Sequence, residues 1–297
     1  MGPKRVTDEQ LASEMSAVRA RKALATVMVV IGTLLTGICA LLSAAIPAVL
    51  FAILAGVGLH LRTKAAESGR QLTGGQLAAG LLEEMFDDAQ YDAQRAISYH
   101  TVAGAAIPLP TFNCGEGSDY ASASYHGMRF EMSNVHLTTE QVNRDEETNM
   151  ETTSVTSSWR GFWLIAELDR TLPCDLRIIP RGALEKLIRT RGVRTGDEAF
   201  DKGYIVFSDN EEEVLRVLTP HMREALVRLL ELLGKNGGIS FRVEGKVHLA
   251  AGGRQLFVPD RGITDVAMTR MKFAKELHWV TTLLDEVGQL RTLYGRG

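Results

Sequence analysis

The sequence predicts an α+β protein: an N-terminal two-helix transmembrane hairpin, then a mainly antiparallel sheet domain with flanking helices and a long C-terminal helix. Three observations predict it. Residues 23–61 contain no Asp, Glu, Lys or Arg; as one straight helix this run would reach about 58 Å, nearly twice the hydrocarbon thickness of a bilayer, so it reads as two spans. Beyond residue 73, runs of period-two alternation come in consecutive groups without a regular β-α-β beat. Capped amphipathic stretches separate these groups, and a further amphipathic stretch closes the chain.

The arm 1–22 carries Thr7 and Gln10 as a capping box, Asp8 and Glu9 in the first turn, and Leu11, Met15 and Val18 at helical spacing. It reads as an amphipathic helix at the membrane interface. Spans over about 24–42 and 45–61 follow, divided near Ser43 to Pro47, because Pro47 fits the first turn of a helix far better than its interior. The second span is short for a full crossing, which leaves a re-entrant hairpin as the alternative. Thr33 with Gly37, then Ala48, Ala52 and Gly56, place small residues four apart, a spacing that lets helices approach in lipid. Small residues are also common in membrane spans generally.

Lys4, Arg5, Arg19, Arg21 and Lys22 precede the run, and Arg62, Lys64 and Arg70 follow it, with no charge at its tip. The positive-inside rule then expects both termini in the cytoplasm. A cleaved signal peptide is rejected, since cleavage near Ser43 would still leave an apolar span. Cys39, Cys114 and Cys174 are an odd, sparse set rather than a disulfide framework. One Cys114–Cys174 bridge stays open only if the domain lies outside. Residues 1–72 hold eight Lys/Arg against four Asp/Glu, so a whole-chain charge of minus three leaves minus seven for 73–297. That acidity excludes a nucleic-acid surface.

Within the domain expected at 73–260, Thr73 and Gln76 start a helix buried at Leu77, Leu81, Met85 and Ala89, and Pro108 and Pro110 end any helix. Asn113 to Asp119 is turn composition. Met128, Phe130 and Met132 alternate with Arg129, Glu131 and Ser133 as a half-buried strand. Gln141 to Ser158 lacks apolar rhythm and reads as a long hairpin loop. Strands follow at Trp159 to Ala166, Leu176 to Pro180 and Tyr204 to Phe207, with a short helix at Ala183 to Ile188. Ser208-Asp209-Asn210 caps a helix that opens on three glutamates, and Thr219-Pro220 restarts it. Leu226, Leu229, Leu230 and Leu233 bury one face before Gly234 ends the helix. A meander of Ile239 to Val243, Lys246 to Ala250 and Gln255 to Val258 leads to a helix over 264–293.

Three segments, Trp159-Arg160-Gly161-Phe162, Phe200 to Asp209 running on to Leu218-Thr219-Pro220, and Ile239 to Pro259, carry a family resemblance. With the paired spans in front, the chain resembles the bacterial domain-of-unknown-function 3137 family of two-span membrane proteins. The resemblance covers most of residues 20–260; Gly203 and Asn210 depart from the pattern and the C-terminal helix lies outside it. It implies a bacterial inner-membrane location and a LemA-type membrane protein as companion. The family has no established activity, so no catalytic residue is carried over.

Candidate sites are sparse. None of the seven histidines pairs with another His, Cys or carboxylate at zinc spacing. The Asn113 to Asp119 loop lacks the basic residue of a phosphate site. Cys114 and His126 could be a nucleophile and base only if the fold brought them together. Trp159, Phe162 and Trp163 form an aromatic cluster, either core or a hydrophobic pocket. Phe273, Leu277 and Leu284, with Val280 and Val287, stripe the C-terminal helix; the stripe either packs on its own domain or forms a seam for a second copy or another membrane protein. The expected function is that of an integral inner-membrane protein, without cofactor, metal or catalytic residues, whose cytoplasmic domain binds a partner protein or a lipid-proximal ligand. The alternative is a membrane-tethered enzyme, hydrolytic in kind, with a site assembled from residues far apart in sequence.

Overall fold

The computed structural model describes residues 23–36, 56–60, 74–144, 151–182, 192–259 and 266–293, with Ala20 and Ile53. The chain divides into two compact units, 1–80 with 259–271, and 81–258 with 272–297.

In the first unit, helix α1 covers 23–36 and a helical stretch covers 56–60. They come close: a Cβ added at Gly58 would stand 3.1 Å from Met28 and Val29, whereas at Gly56 it would meet nothing within 4 Å. Among the described residues no helix is long and apolar enough to cross a membrane. This overturns the transmembrane hairpin expected from spans at 24–42 and 45–61. The arm 1–19, the presumed hairpin tip at 37–52 and the helix expected at Ala183 to Ile188 lie outside the described residues.

Helix α2 (74–85) was expected to run on to Ala89, but it stops at a bend at Phe86. The second unit is built on one eight-stranded, wholly antiparallel sheet. In chain order its elements are β1 (Asp87–Asp92), α3 (Tyr99–Gly104), β2 (Cys114–Tyr125), β3 (Met128–Arg144), β4 (Glu151–Glu167) and β5 (Leu176–Pro180). Then come α4 (Glu198–Gly203), β6 (Tyr204–Phe207), α5 (Glu211–Val217), α6 (Pro220–Leu233), β7 (Gly237–Arg242), β8 (Lys246–Gly252) and α7 (Val266–Leu293). The strand order is β1-β2-β3-β4-β8-β7-β5-β6.

Three local expectations are corrected. Asn113 to Asp119 is not a turn; from Cys114 on it is β2, with a bulge between Ser118 and Ala121 and Asp119 held at φ 60°. Gln141 to Ser158 is not a loop, because β3 and β4 continue through most of it as a two-stranded ribbon. Gln255 to Val258 forms no strand; Leu256 and Phe257 are buried there in irregular backbone.

Successive side chains of a strand point to opposite faces, and the neighbours Phe162 and Trp163 show it. Phe162 meets Trp279 of α7 edge-on, with ring centroids 5.3 Å apart. Trp163 belongs to the cluster of Ile97, Val102, Ile107, Ile165 and Ile179 beneath α3. On the Phe162 side α6 and α7 are tied together, Arg228 donating to Glu286 at 3.0 Å and to Gln289 at 3.0 Å. Phe273, Leu277, Val280, Leu284 and Val287 are all fully buried, so the stripe of α7 is spent inside the chain.

The helix ends follow local chemistry. Asn210 caps α5 by accepting from Glu213 N, Thr219 caps α6 by accepting from Met222 N, and Pro220 sits in the first turn. Gly234 ends α6 at φ 79°, a conformation that costs glycine little.

Candidate functional site

Register places a row of side chains across one face of the sheet. Gln90 pairs with Ser122, Ser122 with Glu131, Glu131 with Ile165, Ile165 with His248, and His248 with Ser240. Its β7 end is covered by α3, where Ser240 Oγ donates to the Ala105 carbonyl at 2.6 Å. Its β1 end is open and forms a cleft of about 370 Å³, lined by Asp88, Tyr120, Arg129, Glu131, Glu167 and Lys246 among others. Both signs of charge line it. Tyr120 donates to Glu131 at 2.9 Å, and the Arg95 guanidinium stands 4.2 Å over the Tyr120 ring. Partial burial and the Glu131 carboxylate raise the Tyr120 pKa, so the phenol stays a hydrogen-bond donor at neutral pH.

His248 marks the covered side of this row. Trp163 Nε1 donates to its Nδ1 at 3.4 Å, which assigns the proton to Nε2. Burial, and then the charges of Arg242 and Lys246, push its pKa down to about 4. It is therefore neutral at physiological pH with Nδ1 already engaged, a core histidine in place of an acid or base.

A second polar cluster fastens the β1 corner. Asn134 is buried on β3 and donates to Asp119 at 2.9 Å and to the Leu256 carbonyl at 2.8 Å. Its Oδ1 accepts from Leu256 N at 2.8 Å. Tyr91 of β1 donates to Asp119 at 2.6 Å, and burial followed by Asp119 raises the phenol pKa beyond any working range. Every polar atom named here is satisfied within the protein, so this cluster stitches the 254–257 segment to the sheet and offers nothing to a ligand.

A third grouping lies on the exposed ribbon. His136 Nε2 is 2.9 Å from Ser157 Oγ, and His136 Nδ1 is 3.0 Å from Glu116. The order serine, histidine, carboxylate is that of a nucleophilic relay. Two features weaken it. The Glu116 side chain is 77% exposed, so water screens its hold on the imidazole. Arg160 also approaches Nδ1, at 3.2 Å, and competes for the atom Glu116 must hold.

The residues singled out in the sequence lie elsewhere. Trp159, Phe162, Trp163, Phe273, Leu277 and Leu284 are buried core, and Trp159 stacks edge-on against Trp163 at 5.8 Å. Cys114 and His126 stand at opposite ends of β2, about 40 Å of strand apart, so they cannot act together. Cys114 and Cys174 are free thiols. Among the described residues no three His, Cys, Asp or Glu side chains gather as a metal site. Only cross-strand register brings Ser157, His136 and Glu116 together, and the sequence gives 141–158 no strand signal.

Over residues 157–289 the chain matches the family model described as a protein of unknown function, DUF3137. No curated protein and no solved structure matches the chain. The matched segment starts inside β4 and takes in β5 to β8 and α4 to α6 together with most of α7. Over that segment the chain is similar to the DUF3137 family of proteins of unknown function.

Proposed function

We propose that the chain is a non-enzymatic interaction protein held at the cytoplasmic face of a bacterial inner membrane, with its sheet domain engaging another membrane protein. The observation that carries the reading is the stripe on α1. Leu24, Val27, Val30, Ile31 and Leu34 lie between 48% and 64% exposed along it. A contiguous apolar face of this kind is unfavourable against water and favourable in lipid. The helix needs no water for its hydroxyls: Thr33 donates to the Val29 carbonyl at 2.9 Å, and Thr36 to that of Gly32 at 2.7 Å. Arg19, Arg21 and Lys22 on one flank of the apolar run and Arg62, Lys64 and Arg70 on the other suit an anionic leaflet. Attachment of this kind requires the stripe to be buried in lipid and does not require a crossing helix. The cleft, lined by both signs of charge, suits a polar protein segment better than an apolar small molecule.

The test is fractionation. The full chain should float with vesicles and resist a high-salt wash, and Leu24→Asp with Ile31→Asp should release it. Wild-type protein that stays in the aqueous fraction would sink the reading. Co-purification from native membranes then identifies the companion, a LemA-type protein being the expected one. The Ser157–His136–Glu116 line favours a second reading, a serine hydrolase. A fluorophosphonate probe decides between them, since stoichiometric labelling lost in Ser157→Ala would establish the hydrolase and no labelling is expected of the interaction protein.

A further inference from the structure

The cleft at the β1 end of the sheet holds two opposite charges that the fold leaves unspent. Arg129 and Glu131 lie two residues apart on β3, so their side chains leave the same face about 7 Å from each other. Among the described residues they form no ion pair with one another or with the other charges of the lining. Each has a hydroxyl beside it on β2, since Ser122 pairs with Glu131 and Ser124 with Arg129. Tyr120 is buried and spends its phenol proton on Glu131 at 2.9 Å, which holds that carboxylate in the cleft. Glu167 and Lys246 stand opposite each other across β4 and β8, so the far wall balances its own charge.

The backbone makes the room. The register of β1 against β2 shifts between Asp87 and Gln90, and Asp88 takes φ 52° at that bulge. Asp88 and Gln90 line the cleft from this edge strand. Ile165, the cross-strand neighbour of Glu131, gives it a patch of apolar floor. The volume of about 370 Å³ is at the small end of ligand cavities.

We propose that this cleft binds a small zwitterion of dipeptide size, its ammonium against Glu131 and Ser122 and its carboxylate against Arg129 and Ser124. Spacing selects the class. Two extended residues span about 7 Å, the separation of the two charges, whereas the ends of a single α-amino acid stand only about 2.5 Å apart and reach one of them. Charge selects against simpler ligands, because a plain anion is repelled by Glu131 and a plain cation by Arg129. The inference goes beyond the reading of the chain as an interaction protein and does not depend on how it meets a membrane.

The test uses the full chain in mild detergent, titrated calorimetrically with alanylalanine as the probe. Binding should saturate, and it should be at least tenfold weaker for free alanine and for N-acetylalanylalanine, which lacks the ammonium. Glu131→Gln and Arg129→Gln, each with intact tryptophan fluorescence, should raise the dissociation constant at least tenfold. Arg129→Gln should leave the binding of alanylalanine amide, which has no carboxylate, unchanged, a split that a merely structural role would not produce. No binding of alanylalanine, or variants that bind it as wild type does, would overturn the proposal. Binding only of lysyl-alanyl-glutamate blocked at both ends, whose side chains carry the same two charges, would overturn it in favour of a segment of a partner protein. If Glu131→Gln misfolds, Arg129→Gln decides.

Discussion

Asn134→Leu tests most directly what holds the sheet to the segment beneath α7. The substitution keeps the volume and removes three hydrogen bonds, two to the backbone of Leu256 and one to the Asp119 carboxylate. Neutral bonds contribute about 1 kcal/mol each and a charged one about 1.5–3, and the stranded Leu256 groups add the penalty of buried unpaired backbone, so a loss of about 3–5 kcal/mol is expected. Against a total of roughly 5–15 kcal/mol that is a large share. With a urea slope near 2 kcal/mol per molar, the midpoint should fall by about 2 M. Trp159, Trp163 and Trp279 report unfolding of the same unit by fluorescence. Asn134→Asp keeps the acceptor for Leu256 N, loses both donations and adds a carboxylate beside Asp119, so at neutral pH it should be at least as damaging. A midpoint within about 0.3 M of wild type for Asn134→Leu would refute the assignment of this contact as structural, because no version of the arithmetic above gives so small a change.

Phe273→Ala opens a cavity under α7, where the ring is fully buried against Phe257 at 5.4 Å. It should cost about 3–5 kcal/mol, read as a fall in melting temperature, and a chain ending at Pro259 should not fold. A folded truncation would mean that α7 is an accessory. For His248, the unfolded state takes up a proton near pH 6.5 whereas the folded state resists until about pH 4. Stability should therefore fall as pH drops through that window, by on the order of 3 kcal/mol from this group, and level off below it. His248→Gln should flatten that part of the curve, and an unchanged slope would show that the imidazole titrates normally.

Local chemistry was the legible part of this fold. The caps at Asn210 and Thr219, Pro220 in the first turn and Gly234 at the end of α6 each depend on a few neighbouring residues, and each was readable. What failed depended on distance. Gly117 looked like a turn residue, yet it is glycine because a Cβ there would overlap the Asn134 carbonyl oxygen across the sheet. The ribbon residues Val142 and Val155 are exposed, so no buried face imposes the alternation that reveals a strand. The apolar run before residue 61 was the strongest compositional signal, yet among the described residues it yields no helix long and apolar enough to cross a membrane. The α7 stripe was read correctly as apolar, but its partner, the Phe162 face of β4, is identified only by the register of the sheet.

The strand order has a kinetic consequence. β1 to β4 are joined by successive antiparallel connections and can pair as the chain emerges, whereas β4 must wait for β8 across β5, β6, β7 and the helices α4 to α6. Closing so long a loop exacts its entropy before any contact rewards it, and sheets of this kind fold slowly. Refolding should therefore begin in the β1–β4 meander and be limited by the β4–β8 seam, where Leu164 meets Leu249 and Ile165 meets His248. While that seam is open, the inner stretch of β4 from Gly161 to Glu167 presents a bare edge. An incompletely folded chain would then offer neighbours the edge that β8 later covers. The nascent protein is thus most exposed to wrong pairing along the strand that, once folded, belongs to both halves of its sheet.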